Sequence, residues 1–150
     1  MFTLEEVFST RNQSEAFEYL RSKKDGNGTD GVRLSELEEY WELNKARIMT
    51  EIEDGVHQPG VVKCFEITNQ IGRRRQVSNL CTIDRFMGRL LAQKLEQYLT
   101  SEFLENSFAY QEGKGALDAE MKAKGFMEKG CRYVAVLDIK DFFESIPYSD

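Results

Sequence analysis

The sequence places one carboxylate where chemistry could use it. From Tyr133 to Ile139 six of seven residues are apolar, and the seventh, Asp138, is next to the last. The β-branched and aromatic side chains of this run predict a buried strand that carries Asp138 to its C-terminal end. A buried carboxylate without a partner is costly. Asp138 must therefore meet a cation or lie at the mouth of a sheet, against the aromatic pair Phe142 and Phe143. Capping the next turn is the plainer role for such an acid. The complementary charge lies earlier in the chain. Arg73, Arg74 and Arg75 are consecutive, and residues 63–94 carry seven basic and two acidic side chains although the whole chain has a net charge of −6. That net charge argues against a general nucleic-acid binder, whereas a basic zone between acidic ones suggests a localised phosphate contact that weakens with salt. A solvated basic helix and hairpin is the alternative.

Helices and a hairpin must position these groups. Apolar residues at helical spacing (Leu4, Val7, Phe8, Phe17, Leu20) predict a helix from Thr3 to Ser22, broken by the turn-rich run Lys23 to Gly31. A second helix is expected from Leu34 to Asp54, opened by Ser35 and Glu38 as a capping box and stopped by Gly55. Its apolar positions are Leu37, Tyr40, Trp41, Ile48 and Ile52. His57, in the loop that follows, reads as a surface residue. Val61 to Thr68 and Arg74 to Leu80 flank Asn69-Gln70-Ile71-Gly72 and predict a β-hairpin. A third helix should run from Thr82, as N-cap, to Thr100, and a fourth from Ala116 to Lys129, closed by Gly130.

The run Asp138-Ile139-Lys140-Asp141-Phe142-Phe143-Glu144-Ser145-Ile146 resembles the first catalytic motif of the reverse transcriptases of group II introns and retrons. In those enzymes a strand ends in Asp-Ile-Lys-x-Phe-Phe-(Asp/Glu)-Ser-Ile, and every position that the pattern specifies is met. Gly28-Thr29-Asp30-Gly31 is similar to the family's Gly-x-Asp-Gly segment, Asp84-Arg85 matches the start of a family helix, and Ser107 to Gly115 resembles its Ser-Tyr-Gly-Phe-Arg-Pro-Gly-Arg-Gly segment. The resemblance extends from about Gly28 to the end.

The resemblance implies roles residue by residue. Asp138 would bridge two Mg²⁺ ions and Ile139 would lend its backbone carbonyl to one of them. Phe143 would block a ribose 2′-hydroxyl and so select deoxynucleotides. Arg75 falls on an arginine of the fingers that grips the triphosphate of the incoming nucleotide, a task suited to a guanidinium that is always charged. The matching family lysine is Asn69 here, so either Arg73 or Arg74 supplies that charge or nucleotide binding is weaker. Arg85, Gly113, Lys114 and Gly115 would meet the template strand, the glycines by letting the backbone approach it. For the glycines a simple lead-in to the next helix is the alternative.

The fold class expected is α+β: a helical N-terminal part, an antiparallel fingers hairpin and the leading strand of a polymerase palm, with residues 1–130 fingers-like and 131–150 the palm strand. No Tyr-x-Asp-Asp motif follows Asp138 to supply the remaining metal ligands, so the chain reads as an inactive fragment cut from a longer RNA-directed DNA polymerase. Its expected partners are an RNA template, a DNA or RNA primer and a dNTP. The palm strand's unpaired edge also predicts self-association. A cytoplasmic protein with no membrane contact is expected, since no apolar run has the length of a span. Cys64, Cys81 and Cys131 lack metal-ligand spacing and read as reduced thiols. Two alternatives stand beside this reading: an RNA-binding module without chemistry, and a fragment of another palm-type polymerase. A cyclase would need a Gly-Gly-acidic hairpin that the sequence lacks.

Overall fold

The computed structural model describes residues 2–24, 26–68, 70, 72, 74–111, 113–140, 142 and 145–147. The chain forms two units, Met1–Glu102 and Phe103–Asp150. It is a mixed α and β structure, in which five α-helices and a two-stranded antiparallel sheet are described.

The first unit opens with α1 (Leu4–Val7) and α2 (Thr10–Arg21), two helices where the periodicity predicts one. Local hydrogen bonding accounts for the break. Thr3 and Glu6 cap each other's amides at the start of α1, at 2.7 and 3.2 Å, while Ser9 is extended and begins a new helix. The offset matters for packing, because it lets the buried Asn12 donate to the Val7 carbonyl at 2.7 Å. Next comes a single 3₁₀ turn, Leu34–Glu36, and then α3 (Leu37–Glu53). The Arg33 amide donates to Glu36 at 3.1 Å, so capping begins ahead of the expected Ser35 and Glu38 pair. Gly55, at φ 67°, ends the helix as expected.

Helix α4 (Thr82–Leu99) completes the core. Phe86 lies at its centre, stacked on Phe17 with ring centroids 4.5 Å apart and edge-on to Trp41 at 5.2 Å. Leu20, Leu34, Leu37, Ile48 and Leu90 fill the space around them. Two buried amides sit in this apolar setting. Asn12 also donates to the Leu90 carbonyl at 3.0 Å, and Gln93 donates to the Asn12 side-chain oxygen at 2.7 Å, so their polar atoms are satisfied. The Trp41 indole donates to Gln13 at 2.8 Å.

Strands β1 (Lys63–Thr68) and β2 (Arg74–Asn79) form the expected hairpin, with Phe65 opposite Val77 and Ile67 opposite Arg75. The second unit contains α5 (Ala116–Glu128), begun at Gly115 and ended before Gly130 at φ 97°. Here one expectation fails. Residues 131–139 form neither helix nor strand, and Tyr133, Val136 and Leu137 are about nine-tenths exposed or more, at 97, 89 and 93%. The predicted buried palm strand is not formed. Side-chain propensity favours an extended chain, but a strand also needs a neighbour for its N–H and C=O groups, and the described residues provide none.

Candidate functional site

The basic hairpin and the Asp138 segment lie in different units. Within the hairpin, alternation sorts the arginines. Arg74 is on the face with Glu66 and pairs with it at 3.4 Å. Arg75 is on the other face with Lys63, Phe65, Ile67 and Val77, and among the described residues no carboxylate pairs with it. It is exposed, so its guanidinium is open to a phosphate. Arg73 and Asn69 lie outside the described residues.

Arg85 stands at the base of this hairpin. Its guanidinium donates to the Asn79 side-chain oxygen at the end of β2, which ties α4 to the strand. The resemblance assigned Arg85 to a template strand; in the chain alone it holds the protein's own backbone course. Arg89, one turn further along, lies over the Tyr19 ring at 3.9 Å and is shared with Gln93 at 2.9 Å. Arg74, Arg85 and Arg89 are thus engaged inside the unit.

In the second unit Asp138 lines an open concavity of about 450 Å³ with Leu137, Ile139 and Phe142. Phe142 lies beside the carboxylate but half-exposed, and no sheet mouth is formed for it to wall; Phe143, Asp141 and Glu144 lie outside the described residues. Mg²⁺ takes oxygen ligands in octahedral geometry, commonly two carboxylates with substrate phosphates and waters. Among the described residues no cluster of three His, Cys, Asp or Glu side chains could hold a metal ion. Asp138 and the Ile139 carbonyl do not by themselves fit a two-metal centre.

The glycine-rich segment before α5 is locally tied. Lys114 donates to the Ser107 carbonyl at 3.2 Å, as does Gln111 at 2.9 Å, and the Gly115 amide donates to Asp118 at 2.8 Å. Gly113 has φ 74°, a conformation that suits glycine. Tyr110 is a residue that sequence reading passed over. It takes φ 56° without being glycine, and its ring is fully exposed. Such strain costs about 1 kcal/mol or more, and its signal lies in the backbone and not in residue type.

His57 is half-buried and not a plain surface residue: its Nδ1 lies 3.1 Å from Glu51 Oε2. This contact, followed by Arg47 at 2.6 Å, holds the Glu51 carboxyl below its ordinary value of 4.5. Glu105 is lowered in the same way by Lys122, 2.7 Å away across the second unit.

No family model matches the chain, and no curated protein matches it. Among the described residues no helix is long and apolar enough to cross a membrane.

Proposed function

We propose that these residues are the fingers and the first palm motif of an RNA-directed DNA polymerase, which extends a DNA or RNA primer with dNTPs on an RNA template. The observation that carries this reading is the motif from Asp138 to Ile146, preceded in the same chain by a hairpin that holds Arg75 exposed on one face. In this reading Arg75, with Arg73 and Arg74 beside it, binds the triphosphate. Phe143 excludes the ribose 2′-hydroxyl; Arg85 in the first unit, and separately Gly113, Lys114 and Gly115 in the second, contact the template strand. Asp138 and the Ile139 carbonyl contribute part of a Mg²⁺ site whose other ligands come from outside the described residues. The setting is the cytoplasm.

RNA-templated dNTP incorporation by the natural gene product tests the reading. Asp138→Ala should reduce incorporation to background with the fold intact, and Phe143→Ala should admit ribonucleotides. Incorporation that survives Asp138→Ala contradicts the proposal. A second reading, phosphate binding to RNA without chemistry, is favoured by the basic surplus alone. It predicts RNA binding that weakens with salt, and less steeply after Arg73, Arg74 and Arg75 are changed to Ala, with no incorporation by the gene product.

A further inference from the structure

The turn Gly28-Thr29-Asp30-Gly31 joins distant parts of the first unit. Asp30 accepts from the amides of Thr82 at 2.8 Å and Ile83 at 3.4 Å, so a carboxylate 52 residues away in sequence caps α4. Thr82, fully buried, returns the contact: its hydroxyl donates to the Val32 carbonyl at 2.7 Å and accepts from the Gly28 amide at 3.0 Å. Gly28 is required by space, because a Cβ there would overlap the Thr82 amide and the Asp30 carboxylate.

The same turn holds both ends of the hairpin. Thr29 donates through its amide to Leu80, just after β2, at 3.3 Å, and through its hydroxyl to the Val61 carbonyl, two residues before β1. From the α4 side, Asp84 accepts from the Gly60 amide at 2.9 Å and Arg85 donates to Asn79. Turn, helix start and hairpin base therefore form one hydrogen-bonded seat.

We infer that Asp30 and Thr29 are positioning residues that fix the hairpin on the start of α4 and so set where Arg75 meets a triphosphate. The functional half of this inference rests on the proposed role of Arg75. Geometry gives the seat leverage. Arg75 lies four residues up the strand from Asn79, about 13 Å at the usual rise, so a tilt of about 5° at the base moves its backbone by about 1 Å. A bidentate phosphate grip tolerates roughly half that displacement.

The test uses the 150-residue chain and two readouts. In Asp30→Ala, amide hydrogen exchange at Thr82, Ile83 and across both strands should quicken roughly fivefold, the scale of one lost cap, while α2 and α3 keep their rates. Asp30→Asn, which retains a capping oxygen, should restore them. Thr29→Val should loosen the strands and leave Thr82 and Ile83 protected. Unchanged hairpin exchange in Asp30→Ala, or equal acceleration in α2 and α3, overturns the seat.

The second readout is the affinity for inorganic tripolyphosphate. Arg75→Ala should weaken it, Asp30→Ala should weaken it too, and the double variant should lose little more than Arg75→Ala alone. If Arg75→Ala weakens binding and Asp30→Ala does not, the positioning role is overturned. If Arg75→Ala changes nothing, it is the reading of Arg75 that fails, and hydrogen exchange still decides the seat.

Discussion

The two units are built from similar residues and differ in what those residues touch. In Met1–Glu102, Phe17, Trp41 and Phe86 stack in a core to which α2, α3 and α4 all contribute. In Phe103–Asp150 no described residue is buried, although Leu117, Met121, Met127, Val134, Val136 and Leu137 are as apolar as the core of the first. Apolar patterning proposes an element; a neighbour that excludes water makes it a core. By this contrast the stability of the chain resides in the first unit, and the described apolar residues of the second add little to it.

Truncation in each unit should expose the difference most strongly. Phe86→Ala removes the ring shared by Phe17 and Trp41 and should cost about 3–5 kcal/mol in denaturant unfolding. Val136→Ala should fall within about 0.5 kcal/mol, since an exposed side chain loses little. A large cost at Val136 would mean that the segment packs and that the contrast is wrong. Asn12→Ala comes next. It removes the side-chain donor to the Val7 and Leu90 carbonyls and one of the two acceptors that residue 12 offers Gln93, and should destabilise the first unit by about 1–3 kcal/mol without altering protease sensitivity of residues 131–139.

The smallest effect is a dependence on pH. The Glu51 carboxyl is held below 4.5 by His57 first and Arg47 second. A lowered folded value means that its stabilisation is complete above the unfolded value and is lost as pH falls through the folded one. Glu51→Gln should therefore flatten the acid limb of the stability profile below about pH 4.5 and leave unit two unaffected, as followed by acid titration of the helical circular dichroism.

Much of this architecture could be read from local sequence, because period and punctuation are local. Helices α3, α4 and α5, the hairpin around Gln70 and Gly72, and the stops at Gly55 and Gly130 all follow from residues close at hand. Contacts between distant segments were not legible. Thr82 has the residue type of an N-cap, yet it is the first residue of α4 and takes its cap from Asp30. Asn12 and Gln93 belong to residue types that are mostly exposed, yet their hydrogen bonds to each other allow burial. The candidate site divides in the same way. The placing of Arg74 and Arg75 on opposite faces follows from strand alternation, whereas the tie from Arg85 to Asn79 depends on the turn between β2 and α4.

Under the proposed polymerase reading, residues 133–139, which form neither helix nor strand in this chain, become a strand only when another strand pairs with them. Hydrogen exchange across 132–146, read beside light scattering over a range of concentrations, tests it most directly. Little protection is expected in the dilute monomer, with protection appearing as the chain self-associates through paired strands. A monomer in which 133–139 is already protected would contradict it, because the edge would then have found its partner within this chain.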